Sequence, residues 1–376
     1  MKVAIVHDWL NTKDGGAEQV LRDILSLPTL RDADLFTLVC DRRRFADLVG
    51  EHHITTSFLQ RFPAFIRHRP RFLLPFIRRA VKRLDLAGYD LIISSSGSWV
   101  KNLTVPDGAR HICYCYTPAR MIWDEWPRYV DGDNIRGMRF VPFLHLWLIW
   151  LCGQLRQWDY YGSDGVEKFL TSSHYVAGRI EKFYHRDGLV IHPGIEVAQF
   201  TPNREVAKSD YFVVVSTLAR YKNIDLIIEA FRQSGHRLII TGDGADRNRL
   251  EGLASGADNI EFRGFVDDAT KVDLLQRARA FIMANVEDFG IAPIEALAAG
   301  TPVIGLRGGG LSETIEAGET GVFFDQPTAE SLRNALNDFE QMNFRPAVLH
   351  KAAQAYTKAR FRQQFSDALE DYGLKD

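Results

Sequence analysis

Short Val- and Ile-rich runs alternate with helix-period segments along nearly the whole chain, and this rhythm is what most restricts the fold. Strands apolar on both faces must be covered on both, so their alternation with helices predicts parallel sheets sandwiched between helical layers. In the first half the runs are Val3–Val6, Leu35–Val39, Leu91–Ser94, His111–Tyr114 and Lys168–Leu170, with helices near Ala17–Ser26, Arg71–Leu84, Trp147–Tyr161 and Tyr175–Phe183. From Ile195 to Asp210 the rhythm breaks, as at an interdomain linker. A second series follows: Tyr211–Val215, Arg237–Ile240, Ile260–Phe262, Ala280–Met283, Pro302–Ile304 and Val322–Phe324, with helices starting near Asn223, Ala245, Ala269, Ile291 and Leu311. The tail Phe344–Asp376 is helical in composition.

The predicted fold class is α/β, two tandem Rossmann-like doubly wound domains facing a cleft. Their expected extents are residues 1–195 and 206–355. A C-terminal helix over 356–376 is expected to pack back on the first. A length of 376 residues favours two cores over one. Lys plus Arg number 46 and Asp plus Glu 48, a net charge of −2 that excludes a global nucleic-acid-binding field. Cys40, Cys113, Cys115 and Cys152 form no paired CxxC pattern and have no His at ligand spacing, so neither a zinc site nor a disulfide framework is expected. The apolar run near Met1 is too short for a secretory signal. Phe140–Gly153 falls short of the roughly 20 residues that span a bilayer. The expected location is cytoplasmic.

The densest chemistry lies at Glu287-Asp288-Phe289-Gly290-Ile291 and eight residues beyond Glu287, at Glu295. Gly290 opens a helix whose first N–H groups face a strand's carboxyl end, a place for an anion, while two carboxylates can grip polyol hydroxyls. The competing reading has Glu287 capping the helix and Glu295 facing solvent. Lys222 follows a strand at the same rim, where a cation can offset negative charge on a ligand.

The block E-D-F-G-I-x(4)-E-A-x(3)-G-x-P-V-I, with Gly308-Gly309-Gly310 and Glu313, resembles the retaining glycosyltransferases of family 4, which have the GT-B fold. Asp14-Gly15-Gly16-Ala17-Glu18, Tyr114–Asp124, the Ser173…Arg179 helix, His192-Pro193-Gly194-Ile195 and Tyr221–Asp225 extend the resemblance over nearly all of the chain. It implies a nucleotide-sugar donor: Glu295 on the ribose, Glu287 on the transferred sugar, the backbone of Phe289, Gly290 and Ile291 on sugar and phosphates, and Lys222 on the diphosphate. The Gly15-Gly16 loop would approach the diphosphate and help form the acceptor pocket. Relatives carry an Arg where this chain has Thr217, and Arg220 is taken as its substitute. They often carry a His where this chain has Tyr116, which either touches the donor sugar or packs as a core aromatic.

The resemblance is strongest to mannosyltransferases. It implies GDP-mannose as donor, no metal, and a polyprenyl-diphosphate-linked saccharide acceptor in bacterial exopolysaccharide or O-antigen assembly, at the inner face of the cytoplasmic membrane. An epimerase of the same architecture and a non-catalytic sugar-binding protein are the alternatives. Asp131-Gly132-Asp133 spells a manganese motif but reads as a turn. From Phe58 to Leu84, Arg61, Arg67, Arg69, Arg71, Arg78, Arg79, Lys82 and Arg83 accompany Phe and Leu side chains without one Asp or Glu. That composition fits an anionic membrane surface; RNA and a plain solvated face are the other readings. Leu144–Leu151, with Trp147 and Trp150, either continues this surface or packs internally.

Overall fold

A computed structural model describes residues 1–11, 15–67, 70–124, 126, 142–202 and 208–374. The chain divides into two units, Met1–His192 with Arg362–Asp376, and Pro193–Phe361. The first holds a seven-stranded sheet of β1 (Val3–Leu10), β2 (Asp34–Cys40), β3 (Ile54–Thr56), β4 (Leu91–Ser96), β5 (Arg110–Cys115), β6 (Lys168–Thr171) and β7 (Gly188–Val190). The second holds β8 (Phe212–Val215), β9 (Leu238–Thr241), β10 (Ile260–Gly264), β11 (Phe281–Met283), β12 (Val303–Leu306) and β13 (Gly321–Phe324). The strand orders are β3-β2-β1-β4-β5-β6-β7 and β10-β9-β8-β11-β12-β13. Every pairing between these strands is parallel.

Both sheets are doubly wound, with Rossmann-like order. Each reverses direction once, between β1 and β4 and between β8 and β11. At such a switch point the loops leaving the two strands diverge and open a crevice at their carboxyl ends. Those loops are where chemistry is expected in each unit.

The apolar periodicity located the central strands, and the structure lengthens them at their carboxyl ends with polar residues. β1 continues through His7 and Asp8, and β4 through Ser95 and Ser96, all buried. The edge strands β3 and β7 have only three residues each, too few to show a period. The expected linker is corrected in part: Ile195, Val197 and Phe200 are buried in the second core beside Leu274 and Leu297. Residues 203–207 of that segment lie outside the described ones. The second unit begins at Pro193 because Gly194 lies against Lys358, where a Cβ would stand 2.4 Å from Lys358 Cα.

Helix Lys358–Glu370 supplies Phe365 to the first unit, its ring 6.0 Å from that of Tyr114. Arg362 donates to the buried Asp23 at 2.9 Å, and Arg110 to the Asp371 carbonyl at 3.0 Å. In the first core, helices Leu74–Lys82 and Pro142–Gly162 pack together through Leu74, Ile77, Val81, Leu148, Leu151 and Leu155.

Candidate active site

In the second unit β8 runs into a single 3-10 turn, Arg220–Lys222, and Asn223 follows with φ +52°. The amide of Asn223 donates to the Ala284 carbonyl at 2.9 Å, just past β11. The two loops of the switch point are thereby tied together. Lys222 Nζ and the Glu287 carboxylate form an ion pair across them, and Asn285 Nδ2 donates to Glu287 Oε1 at 2.8 Å. The side chains of Lys222 and Glu287 remain 17% and 22% exposed, shielded yet reachable.

Glu287 therefore caps no helix. Helix Ile291–Ala298 starts instead from Gly290, at φ +92°, with no side-chain cap. A non-glycine residue there would be strained, and Pro293 in the first turn contributes no N–H, so Ile291 and Ala292 are the turn's donors. From the other side Gly310 N–H donates to the Glu287 carbonyl at 3.0 Å. A Cβ at Gly309 would stand 2.1 Å from that carbonyl oxygen, so the glycine run after β12 lets two backbones touch. Phe289 is buried, its ring 5.8 Å from Tyr356. The segment carrying Glu287 is thus fixed by packing on both flanks.

The remaining site candidates in this unit make separate pairs. Glu295 does not face solvent: it is buried, and its Oε1 accepts from Lys271 Nζ at 2.9 Å. Burial lifts its carboxyl above the ordinary carboxylate range, with Lys271 opposing. Arg220 lies with Nε 3.9 Å from Asp246 Oδ1, its side chain 59% exposed. Asp246 is gripped by Arg249 through bonds of 2.7 and 2.5 Å, which hold its carboxyl below the usual range. Lys271, Asn223, Asn285 and Asp246 were not singled out from the sequence. Lys271 and Asn223 act through partners 24 and 61 residues away, which no local spacing signals, whereas Asn285 and Asp246 have partners two and three residues away.

The corresponding switch point of the first unit is built from neutral or enclosed groups. The Asp8 carboxylate accepts from the backbone N–H groups of Gly97, Ser98, Trp99 and Val100 at 2.7–2.9 Å, pinning the turn after β4. Burial raises its pKa and those four donors oppose the shift. The Tyr116 hydroxyl donates to the Ala17 carbonyl at 2.9 Å and lies 2.8 Å from Ser95 Oγ, which lies 2.9 Å from His7 Nδ1. Each hydroxyl has one proton, so assignment from the network runs His7 N–H to Ser95, Ser95 to Tyr116, and Tyr116 to Ala17. Burial pushes Tyr116 far above the usual phenol range and His7 down to about 4, so both are neutral near pH 7. Tyr116 braces the start of helix Gly16–Leu25. There Gly15 N–H donates to Glu18 Oε2 at 3.0 Å and Gly16 is the first helical residue. Asp14 and Asp131–Asp133 lie outside the described residues.

Residues 198–359 match the family described as glycosyl transferases group 1. The chain is similar to the D-rhamnosyltransferase WbpZ of Pseudomonas aeruginosa, at 28% identity over 43% of this chain and 43% of that protein. It is also similar to a GDP-mannose-dependent alpha-(1-6)-phosphatidylinositol monomannoside mannosyltransferase of Mycobacterium tuberculosis, at 28% identity over 53% of this chain and 59% of that one. The matches span about half the length of these curated relatives. Among solved structures, Anabaena HepE in complex with UDP superposes with a TM-score of 0.71 at 16% identity, covering 99% of this chain and 100% of that one. The chain has the GT-B fold, and the match to glycosyl transferases group 1 falls within its second unit.

Proposed function

We propose that the protein is a metal-independent retaining glycosyltransferase that moves a sugar from a nucleotide donor to a lipid-linked saccharide. The observation that carries this reading is the Lys222–Glu287 pair at the β8/β11 switch point, held by Asn223, Asn285 and the glycine run. An arriving diphosphate competes for the ammonium and releases the carboxylate toward the sugar hydroxyls, so one event prepares both groups. Lys222 and the Ile291 and Ala292 N–H groups then take up leaving-group charge, with Arg220 reaching in from the exposed rim. Glu295 holds the ribose, sharing its carboxylate with Lys271. The donor's own phosphate accepts the proton of the incoming hydroxyl on the same face.

GDP-mannose is the proposed donor, supported by the mannosyltransferase among the relatives and by the motif block. The proposed acceptor is a polyprenyl-diphosphate-linked saccharide of exopolysaccharide or O-antigen assembly, met at the inner face of the cytoplasmic membrane. Among the described residues no helix is long and apolar enough to cross a membrane, so contact there is assigned to a surface. Phe65, Phe72 and Phe76 are exposed beside Arg78, Arg79, Lys82 and Arg83, while Leu73, Leu74, Ile77 and Val81 are buried. This amphipathic arrangement supports attachment through the described part of Phe58–Leu84; Arg69 lies outside it. Leu146, Trp147 and Trp150 are exposed too, so part of the Leu144–Leu151 stretch joins the surface.

Nucleoside diphosphate release across a panel of nucleotide sugars, in EDTA, with and without a lipid-linked acceptor, tests the reading. Release from GDP-mannose that rises with acceptor and ignores EDTA is expected. A requirement for manganese would overturn metal independence, and release from no donor would overturn the enzyme.

A further inference from the structure

Between helices Leu74–Lys82 and Pro142–Gly162 lies a cavity of about 350 Å³, lined among others by Arg78, Lys82, Asn102, Gln154, Gln157 and Tyr161. Arg78 and Lys82 stand one turn apart on one helix face. Neither makes an ion pair among the described residues. Gln154 and Gln157 add amide donors from the opposite wall.

The floor is rigid. Asn102 is buried; its Nδ2 donates to Asp159 Oδ1 at 3.0 Å, and its Oδ1 accepts from Lys101 Nζ at 2.7 Å. Lys101 and Asp159 are an enclosed ion pair at 2.8 Å, and Asp159 also accepts from Trp123 and Tyr184. Helix Pro142–Gly162 ends on a glycine there because a Cβ would stand 2.0 Å from Asn102 Oδ1.

The cavity continues an exposed stripe along the same helix. Phe143, Trp147, Trp150, Gln154, Gln157 and Tyr161 recur at helical spacing, apolar in the first half and polar in the second. Seven residues separate Trp150 from Gln157, roughly 10 Å along the axis. An interfacial helix buries its apolar face about 5–10 Å toward the acyl boundary, so aromatics at that boundary leave the cavity at headgroup depth.

We infer that this cavity binds the phosphodiester headgroup of an anionic membrane lipid, with Arg78 and Lys82 on the phosphate oxygens and the adjoining aromatics in the bilayer. The inference deepens the membrane reading above and rests on it. It changes a diffuse basic face into a discrete site, distinct from the rim of the second unit.

Flotation with phosphatidylcholine vesicles carrying a minor share of phosphatidylglycerol tests it, by comparing two double variants of equal charge. Arg78→Gln with Lys82→Gln empties the cavity of cations, whereas Arg79→Gln with Arg83→Gln removes exposed cations outside it. Surface charges near an anionic membrane are worth about fivefold each, so the control pair should lose roughly thirtyfold and the cavity pair at least tenfold more. Gln157→Glu, which adds a carboxylate and keeps both cations, should also weaken binding. Equal losses from the two pairs would overturn the site and leave a diffuse basic face. No loss from either would remove lipid contact altogether. Displacement by inorganic phosphate at matched ionic strength would mark a soluble-anion site instead. If the wild type itself releases no nucleoside diphosphate, the enzymatic reading fails while the vesicle comparison still stands.

Discussion

The two switch points share one topology and are furnished in opposite ways. At β1/β4 the first unit encloses its polar groups: Asp8 is consumed by four backbone donors, and His7, Ser95 and Tyr116 form a neutral chain ending on Ala17. At β8/β11 the second unit keeps a lysine and a glutamate partly accessible, paired with each other and supported by amides. A doubly wound sheet supplies the crevice, but side-chain chemistry decides whether the crevice is closed by its own groups or poised for a ligand. The contrast extends to the histidines, since His7 and His111 are buried in the first unit. In the second, His236 and His350 are only partly buried.

The largest effect expected from this contrast is on stability. Asp159→Ala leaves Lys101 charged and enclosed, and strips Trp123, Tyr184 and Asn102 of their shared acceptor. Removing one partner of a buried pair costs about 3–5 kcal/mol. Calorimetry should show the first unit's transition falling or vanishing, while the transition raised by added nucleoside diphosphate persists. A variant that melts like the wild type would show that the network is dispensable.

Next comes catalysis at the poised switch point. Lys222→Ala should raise the barrier by about 2–4 kcal/mol, the scale for one preorganised donor. It also leaves Glu287 without its cation, so both kcat and donor affinity should fall in initial-rate assays. Near-normal turnover would refute the assignment.

Acid should separate the units at comparable scale. His7 and His111 are each held down to about 4 by burial, against an ordinary value near 6.5. The unfolded chain therefore binds more protons between those values, and stability is lost as pH falls from about 6.5 to 4. A shift of this size corresponds to about 3 kcal/mol per group. Unfolding followed from pH 7 to pH 4.5 should weaken the first unit preferentially, and His7→Gln should flatten the dependence. Equal acid sensitivity of the two transitions would erase the contrast.

What the sequence disclosed follows the same division. Central strands were legible because burial on both faces leaves continuous Val/Ile runs, as in Phe212–Val215. Their polar extensions were not, because His7, Ser95 and Ser96 look like a strand's end until their partners across the sheet are known. The Glu287–Glu295 block was legible as a motif, whereas its pairings with Lys222 and Lys271 depend on side chains 65 and 24 residues away. The Phe58–Leu84 composition indicated a basic face. The cavity needed a second helix that no local pattern ties to it.

Glu295→Gln should act more mildly. The amide keeps the shape and still accepts a bond from Lys271, but it loses charge in a buried place, so a neutral–charged bond of about 1–2 kcal/mol replaces a charged pair. Donor KM should rise with kcat nearly unchanged, the mark of a group that binds substrate and transition state alike. A selective fall in kcat would move Glu295 to the reacting centre.

The smallest effect is expected for Arg220, although the resemblance gives it the duty of the arginine absent at Thr217. Its guanidinium is more than half exposed and 3.9 Å from Asp246, a carboxylate that Arg249 already holds by two shorter bonds. An exposed charge is screened by water and salt, and such pairs contribute about 0–1 kcal/mol. Arg220→Ala should therefore lower kcat/KM by less than about tenfold, with the loss shrinking as salt rises, and leave thermal stability unchanged. Lys222, fixed and shielded, should show little salt dependence in its own deficit. A loss for Arg220→Ala that equals that of Lys222→Ala and persists at high salt would mean that the bound diphosphate draws the guanidinium off Asp246 into a dry site. The two cations would then act as one clamp, and the accessible switch point would close on its ligand as fully as the first unit's closes on itself.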